Sequence, residues 1–168
     1  MMRICFHGAE STGKSTLARK LGEEFGWPVV REFGRTYAEL HGPDFNMADL
    51  MTIARRQDLL QREAMASAPH QLLDTDPLMT AAWAEMLFGE VPDELLAYPK
   101  AELYLMFAAD VPWVDDGTRC FGTPRERARF SRIAEDMLVR AGVPYRLIAG
   151  DWAAREALVR QAIASLVS

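Results

Sequence analysis

Gly8-Ala9-Glu10-Ser11-Thr12-Gly13-Lys14-Ser15 is the stretch on which the reading of this chain turns. It satisfies the pattern G-x-x-x-x-G-K-[ST]. An apolar run, Ile4-Cys5-Phe6, precedes it, and Leu17, Leu21 and Phe25 recur every four residues after it. That order reads as a short buried strand, a loop and a helix. Glycines let the backbone close around phosphates, while successive amide N–H groups and the helix N-terminus face the anion. Lys14 supplies a positive charge for the β- and γ-phosphates, and the Ser15 hydroxyl suits Mg²⁺. Gly8, Glu10, Ser11, Thr12, Gly13, Lys14, Ser15 and Thr16 are therefore expected to hold a nucleoside triphosphate, ATP, with Mg²⁺.

Outward from that loop, short apolar runs alternate with longer helical patterns, as expected for a parallel sheet covered by helices. Five strands are predicted, at Arg3 to Phe6, Pro28 to Glu32, Gln71 to Asp74, Glu102 to Phe107 and Tyr145 to Ile148. Phe130, Ile133, Ala134, Met137, Leu138 and Ala141 share one helical face, as do Leu158, Val159, Ala162, Ile163 and Leu166. Met47, Leu50, Met51 and Ala54 begin a further, long helix. Gly42-Pro43 and Gly142-Val143-Pro144 read as turns. The expected fold is a three-layer α/β domain of the phosphate-binding-loop type, with a parallel five-stranded sheet and a short lid. It fills residues 1–168 as one kinase domain, the lid at about 113–132.

The bulk numbers agree. A chain of 168 residues suits one domain, and 49% apolar with 26% charged residues is ordinary for a globular protein. A net charge of −5 gives no general attraction to polyanions, so no nucleic-acid partner is expected. Cys5 and Cys120 form neither a disulfide framework nor a metal-ligand spacing. No stretch reaches membrane-spanning length and no secretory apolar segment opens the chain, so a cytoplasmic location without membrane contact is expected.

In open sheets of this kind ligands sit at the carboxyl ends of the strands, so the residues just past each strand carry the chemistry. Asp74 closes the third run, where such folds place the carboxylate of the Mg²⁺ shell. Glu32 and Asp76 are both suited to bind an acceptor hydroxyl or take its proton, and the sequence does not choose between them. Arginines near a transferring phosphoryl group stabilise its charge. Arg125, Arg129 and Arg132 fall opposite the apolar helical face, whereas Arg119 precedes the helix and is the candidate for a lid that closes on phosphate. Trp113, flanked by Pro112 and Asp115-Asp116, is a candidate to stack on a substrate ring, with the carboxylates favouring a cation. Asp151 reads as a helix cap.

These segments together resemble a known family. Gly8 to Thr16, Glu32 with Gly34-Arg35, Asp74-Thr75-Asp76, and Asp110 to Gly117 with Arg119 are similar to the ribosylnicotinamide kinase domain of the bacterial NAD-biosynthesis regulators. The likeness spans nearly the whole chain, and D-V-P-W-V-D-D-G-x-R is its most discriminating part. It implies ATP-dependent phosphorylation of the 5′-hydroxyl of nicotinamide riboside, giving nicotinamide mononucleotide. Lys14, Glu32, Asp74, Asp76 and Arg119 would then be catalytic, and Ser15 with Asp74 would hold the metal. Glu32, Arg35, Asp76, Trp113, Asp115 and Asp116 would bind the acceptor nucleoside. Arg155 with Gly150 would lie near the adenine. The regulators also carry a DNA-binding and an adenylyltransferase domain, for which this chain has no room, so those activities are not expected. In the family an aromatic residue often precedes the glutamate after the second strand; here it is Arg31.

Three other readings compete. A kinase for another nucleoside or nucleoside monophosphate would share the loop and lid and differ only in its acceptor pocket. A GTPase switch would need Asn-Lys-x-Asp after a strand, and the nearest match, Asn46-Met47-Ala48-Asp49, lacks the lysine. A non-catalytic ATP sensor would be signalled by a damaged site, yet Lys14 and Asp74 are both present.

Overall fold

The computed structural model describes residues 1–114 and 120–168. Its five strands are β1 (Met2–Gly8), β2 (Val29–Val30), β3 (His70–Asp74), β4 (Leu103–Phe107) and β5 (Tyr145–Ile148). Seven helices connect and follow them: α1 (Lys14–Phe25), α2 (Phe33–His41), α3 (Met47–Met65), α4 (Pro77–Phe88), α5 (Asp93–Ala97), α6 (Pro124–Ala141) and α7 (Trp152–Val167). All strand pairs are parallel, in the order β2-β3-β1-β4-β5. The expected three-layer α/β fold with a five-stranded parallel sheet is what the chain adopts.

The strands are buried on both faces, which is why they read as short continuous apolar runs. On one face α1 and α7 cover Ile4, Phe6, Leu72, Leu105 and Phe107. On the other, α3, α4 and α6 cover Cys5, Leu73, Tyr104 and Met106. Buried between α3 and α6, α4 is apolar on nearly every side, with Leu78, Met79, Ala81, Ala82, Trp83 and Ala84 all in the core.

Register places the chemistry. Phe6 pairs with Asp74 and Gly8 with Phe107, so the central strand ends between the carboxylate of β3 and the end of β4. A Cβ on Gly8 would fall 2.6 Å from the Phe107 carbonyl oxygen, so only glycine lets the chain leave the sheet there.

Some expectations shift. β2 keeps only Val29–Val30 of the predicted Pro28 to Glu32, because the chain turns into α2 at Phe33. On α7 the buried face runs through Arg155, Val159, Ala162 and Ile163, which leaves Leu158 and Leu166 largely outside. From Pro124 onward the expected lid region is already α6. Asn46 and Asp49, the near match to a guanine motif, form a reciprocal capping box at the start of α3. No described helix is long and apolar enough to cross a membrane.

Candidate active site

The phosphate loop leaves β1 at Gly8 and enters α1 at Lys14. Thr12 staples it by donating its hydroxyl to the Ala9 carbonyl at 2.8 Å. Ser11 has φ 60° and Gly13 φ 88°, the left-handed turns that let successive amides converge on one point. The Lys14 ammonium is buried and donates to the carbonyls of Gly8 and Ala9 at 2.8 and 2.6 Å, which holds it over the loop. Two adjoining cavities open beside it and share Ser15, Glu32 and Arg35, making two arms of one cleft.

Asp74 is buried at the end of β3. One of its carboxylate oxygens, Oδ1, has no hydrogen-bond partner among the described residues. Burial raises its pKa, and the Ser15 hydroxyl and the Lys14 charge pull it partly back. The donor set, a hydroxyl and an under-satisfied carboxylate beside the loop, is all oxygen and fits Mg²⁺, which takes few protein ligands and leans on substrate phosphates and water. No cluster of three or more acidic, His or Cys side chains that would cage an ion alone exists among the described residues.

Glu32 stands at the N-cap of α2, yet its side chain makes no capping bond, so the carboxyl is turned into the cleft. Loss of solvent, and then the Asp74 carboxylate, push its pKa up to about 8, against the opposing pull of Lys14 and Arg35. The backbone on either side of it is clamped by one residue. Gln57 of α3 accepts from the Phe33 N–H at 2.7 Å and donates to the Arg31 carbonyl at 3.1 Å. Two residues of β2 alone would not hold Glu32; Gln57 completes the edge.

Asp76, the other expected acceptor carboxylate, lies elsewhere. It is 2% exposed and does not line the cleft. It caps α4 by accepting from the Leu78 N–H at 2.9 Å, and it accepts a short hydrogen bond from the Tyr104 hydroxyl at 2.5 Å. A helix beginning three residues past the end of the strand needs that cap, so the side chain turns inward. Arg155 also departs from expectation. Rather than facing an adenine, it is 1% exposed and bonds the carbonyls of Gly150, Thr12 and Ala108 and the Asp110 carboxylate.

Trp113 was expected against the acceptor ring, but it is absent from the cleft lining and packs on Gly122, where a Cβ would meet its ring at 3.0 Å. Phe45 and Trp83 are the aromatic residues that line the first arm of the cleft, their ring centroids 5.9 Å apart, with Pro43, Ile53 and Met79 beside them. Sequence reading missed both. Trp83 sits in a helix with no polar face to set it apart, and Phe45 follows a turn. Asp115, Asp116 and Arg119 lie outside the described residues. Their neighbours meet the loop nonetheless. The Ser11 hydroxyl accepts from the Val114 N–H at 2.8 Å, and Glu10 accepts from the Cys120 N–H at 2.9 Å.

A phosphate loop on the central strand, a carboxylate one strand over and a covering set of helices on both faces define the comparison with known proteins. The family model for the AAA domain matches residues 3–155. The chain belongs to the AAA domain family. Two curated relatives of this AAA domain, the trifunctional NAD biosynthesis/regulator proteins NadR of Salmonella typhimurium and Escherichia coli, are each 30% identical over 153 residues. The alignments cover 84% of this chain and 37% of each relative, so the chain spans little more than a third of their length. Among solved structures, NadR protein in complex with NR superposes with a TM-score of 0.76 at 19% identity, over 98% of this chain and 50% of that one. NadR protein in complex with NAD and AMP-PNP gives 0.70 at 20% identity, over 98% and 49%. Deoxyadenosine kinase from M. mycoides, with dcmp and dcdp bound, gives 0.69 at 10% identity, over 98% and 100%. At such identities the superpositions establish the fold shared with NadR and with deoxyadenosine kinase.

Proposed function

We propose that this AAA domain is a kinase that transfers the γ-phosphoryl group of ATP to the 5′-hydroxyl of nicotinamide riboside, giving nicotinamide mononucleotide. The observation that carries this is the convergence, in one cleft, of the Lys14 ammonium, the unsatisfied Asp74 oxygen, the inward Glu32 carboxyl and an aromatic slot. The NadR relatives, and the NadR structures in complex with NR and with NAD and AMP-PNP, support the same reading.

The loop amides and Lys14 bind the β- and γ-phosphates and hold the reacting phosphorus in place. Ser15 and Asp74 would hold Mg²⁺, which when bound neutralises phosphate charge. Glu32 receives the proton of the acceptor hydroxyl, a task for which a raised pKa makes its ionised form a better base. Phe45 and Trp83 flank the acceptor base, and a pyridinium cation against aromatic faces is favourable. Arg35, which lines both arms, faces the ribose and phosphate side. Such a transition state asks for positioning and charge stabilisation more than for covalent chemistry. The site needs no membrane and no nucleic acid, and we place the protein in the cytoplasm.

A nucleoside monophosphate acceptor has one observation in its favour: Arg19, Arg31 and Arg35 all line the second arm of the cleft. ADP release measured across a panel of nucleosides and nucleoside monophosphates distinguishes the two. We expect turnover with nicotinamide riboside, and Lys14→Ala should reduce it by at least ~100-fold through lost phosphate stabilisation. Turnover with a monophosphate and none with nicotinamide riboside would replace the acceptor assignment.

A further inference from the structure

Two arginines are buried on the inner faces of their helices, where apolar residues are the rule. Arg127 precedes Phe130, Ala134, Met137 and Leu138 on the buried side of α6, and Arg155 precedes Val159, Ala162 and Ile163 on that of α7. These helices cover opposite faces of the sheet. Both side chains reach the phosphate loop, and they take consecutive carbonyls. Arg127 donates to Ser11 O at 3.1 Å and to Val111 O, while Arg155 donates to Thr12 O at 3.1 Å.

A trans peptide fixes its carbonyl and its N–H in opposite directions. The Ser11 carbonyl shares a peptide with the Thr12 N–H, and the Thr12 carbonyl shares one with the Gly13 N–H. No peptide bond is cis among the described residues. A guanidinium holding each carbonyl outward therefore aims the next N–H at the opposite side, into the loop. Each positive charge behind a carbonyl also strengthens the dipole it grips. From Lys14 onward the helix does this work itself, beginning with Leu17 N–H to Gly13 O at 3.1 Å. The two arginines act on the peptides just ahead of it, which no helix orients.

We propose that Arg127 and Arg155 are positioning residues of the phosphate loop, which turn the Thr12 and Gly13 amides onto the anion by gripping the carbonyls of Ser11 and Thr12. The inference rests on the nucleotide reading of the loop and not on the identity of the acceptor. The two arginines are not equivalent. Arg155 is also ion-paired with Asp110, whereas Arg127 bonds only carbonyls and keeps a buried Nε without a partner among the described residues. Arg127 is thus the cleaner of the two to test.

The test compares wild type with Arg127→Met, Arg127→Lys, Arg155→Met and Arg155→Lys, each confirmed folded by circular dichroism. Calorimetry with Mg·ATP is paired with the amide proton shifts of Thr12 and Gly13 on nucleotide addition. Wild type should bind, with both amides moving downfield. Arg127→Met should weaken binding about 10-fold and diminish the Thr12 shift selectively, and Arg155→Met should diminish that of Gly13, because a lost charge-assisted donor leaves each peptide free to turn. The lysine variants should recover part of the affinity. If Arg155→Met does not fold, the Arg127 pair decides. Folded variants with wild-type affinity and both shifts intact overturn the proposal, whatever their melting temperatures. A wild-type protein that binds no Mg·ATP removes the nucleotide reading itself, an outcome the variants cannot mimic.

Discussion

At Gly13 two constraints meet. Its φ of 88° is left-handed, and a Cβ there would fall 2.7 Å from the Trp152 ring. Gly13→Ala is expected to weaken Mg·ATP by at least about 10-fold, since a left-handed alanine alone costs roughly 1–2 kcal/mol. Adding Trp152→Ala removes the steric part only, so calorimetry on the double variant should show partial recovery. Gln57 makes a different demand, because its amide holds both peptides beside Glu32. Gln57→Leu is expected to lower kcat about 10-fold or more while Mg·ATP affinity stays within about twofold, if Glu32 is the proton acceptor we propose. Equal losses in both would place Gln57 in general folding instead. For Glu32 itself the sign is fixed by its raised pKa of about 8: kcat/KM for the acceptor should climb from pH 6 to pH 8 as the carboxyl loses its proton. In Asp74→Asn a like charge is gone, so the Glu32 carboxyl ¹³C titration should move toward acid.

Among the elements, β1, the loop and α1 were legible because their pattern is local: an apolar run, glycines at fixed offsets, then a four-residue period. The long faces of α3 and α6 were legible for the same reason. What escaped was whatever depends on a partner distant in sequence. Arg127 has the helical phase of Phe130 and Ala134, but a charge on an apolar face reads as an error until the carbonyls it reaches are seen. Of the site, the loop and the strand-end positions of Glu32 and Asp74 could be named; Phe45, Trp83 and Gln57 could not, because α3 and α4 meet only in three dimensions. Asp76 caps α4 and does not line the cleft, and a strand-end carboxylate and a helix cap look alike in one dimension. Asp76→Ala is expected to cost about 1–3 kcal/mol in urea melts through the lost cap and the stranded Tyr104 hydroxyl, and Asp76→Asn less. A folded Asp76→Asn protein should keep its acceptor KM; a large rise would return Asp76 to the cleft.

Across the whole molecule buried groups set opposing responses to acid, with His7 on one side and Asp76, like Glu32, on the other. His7, bonded through Nε2 to the Ala134 carbonyl, has its pKa lowered by burial from 6.5 to about 4. Unfolded chain takes up that proton first, so acidification across this window destabilises the fold. Asp76 behaves in reverse. Burial raises its pKa from 3.8 to about 6, so the folded chain takes up the proton first and acidification stabilises it. Each effect is on the order of 3 kcal/mol, and between pH 6 and 4 they largely cancel. Asp76→Asn removes one compensating member. Denaturant midpoints at pH 4, 5 and 6 should therefore fall more steeply for that variant than for wild type, and parallel curves would refute the pairing.

The strand order also governs when the loop can form. β1 lies between β3 and β4, and the carbonyl of Thr12 is gripped by Arg155, far along the chain. On the ribosome the nucleotide-gripping segment emerges well before α7 and is completed only after it. Until α7 has left the exit tunnel the Thr12 carbonyl lacks its grip, so ATP is expected to stabilise the finished domain more than the nascent one.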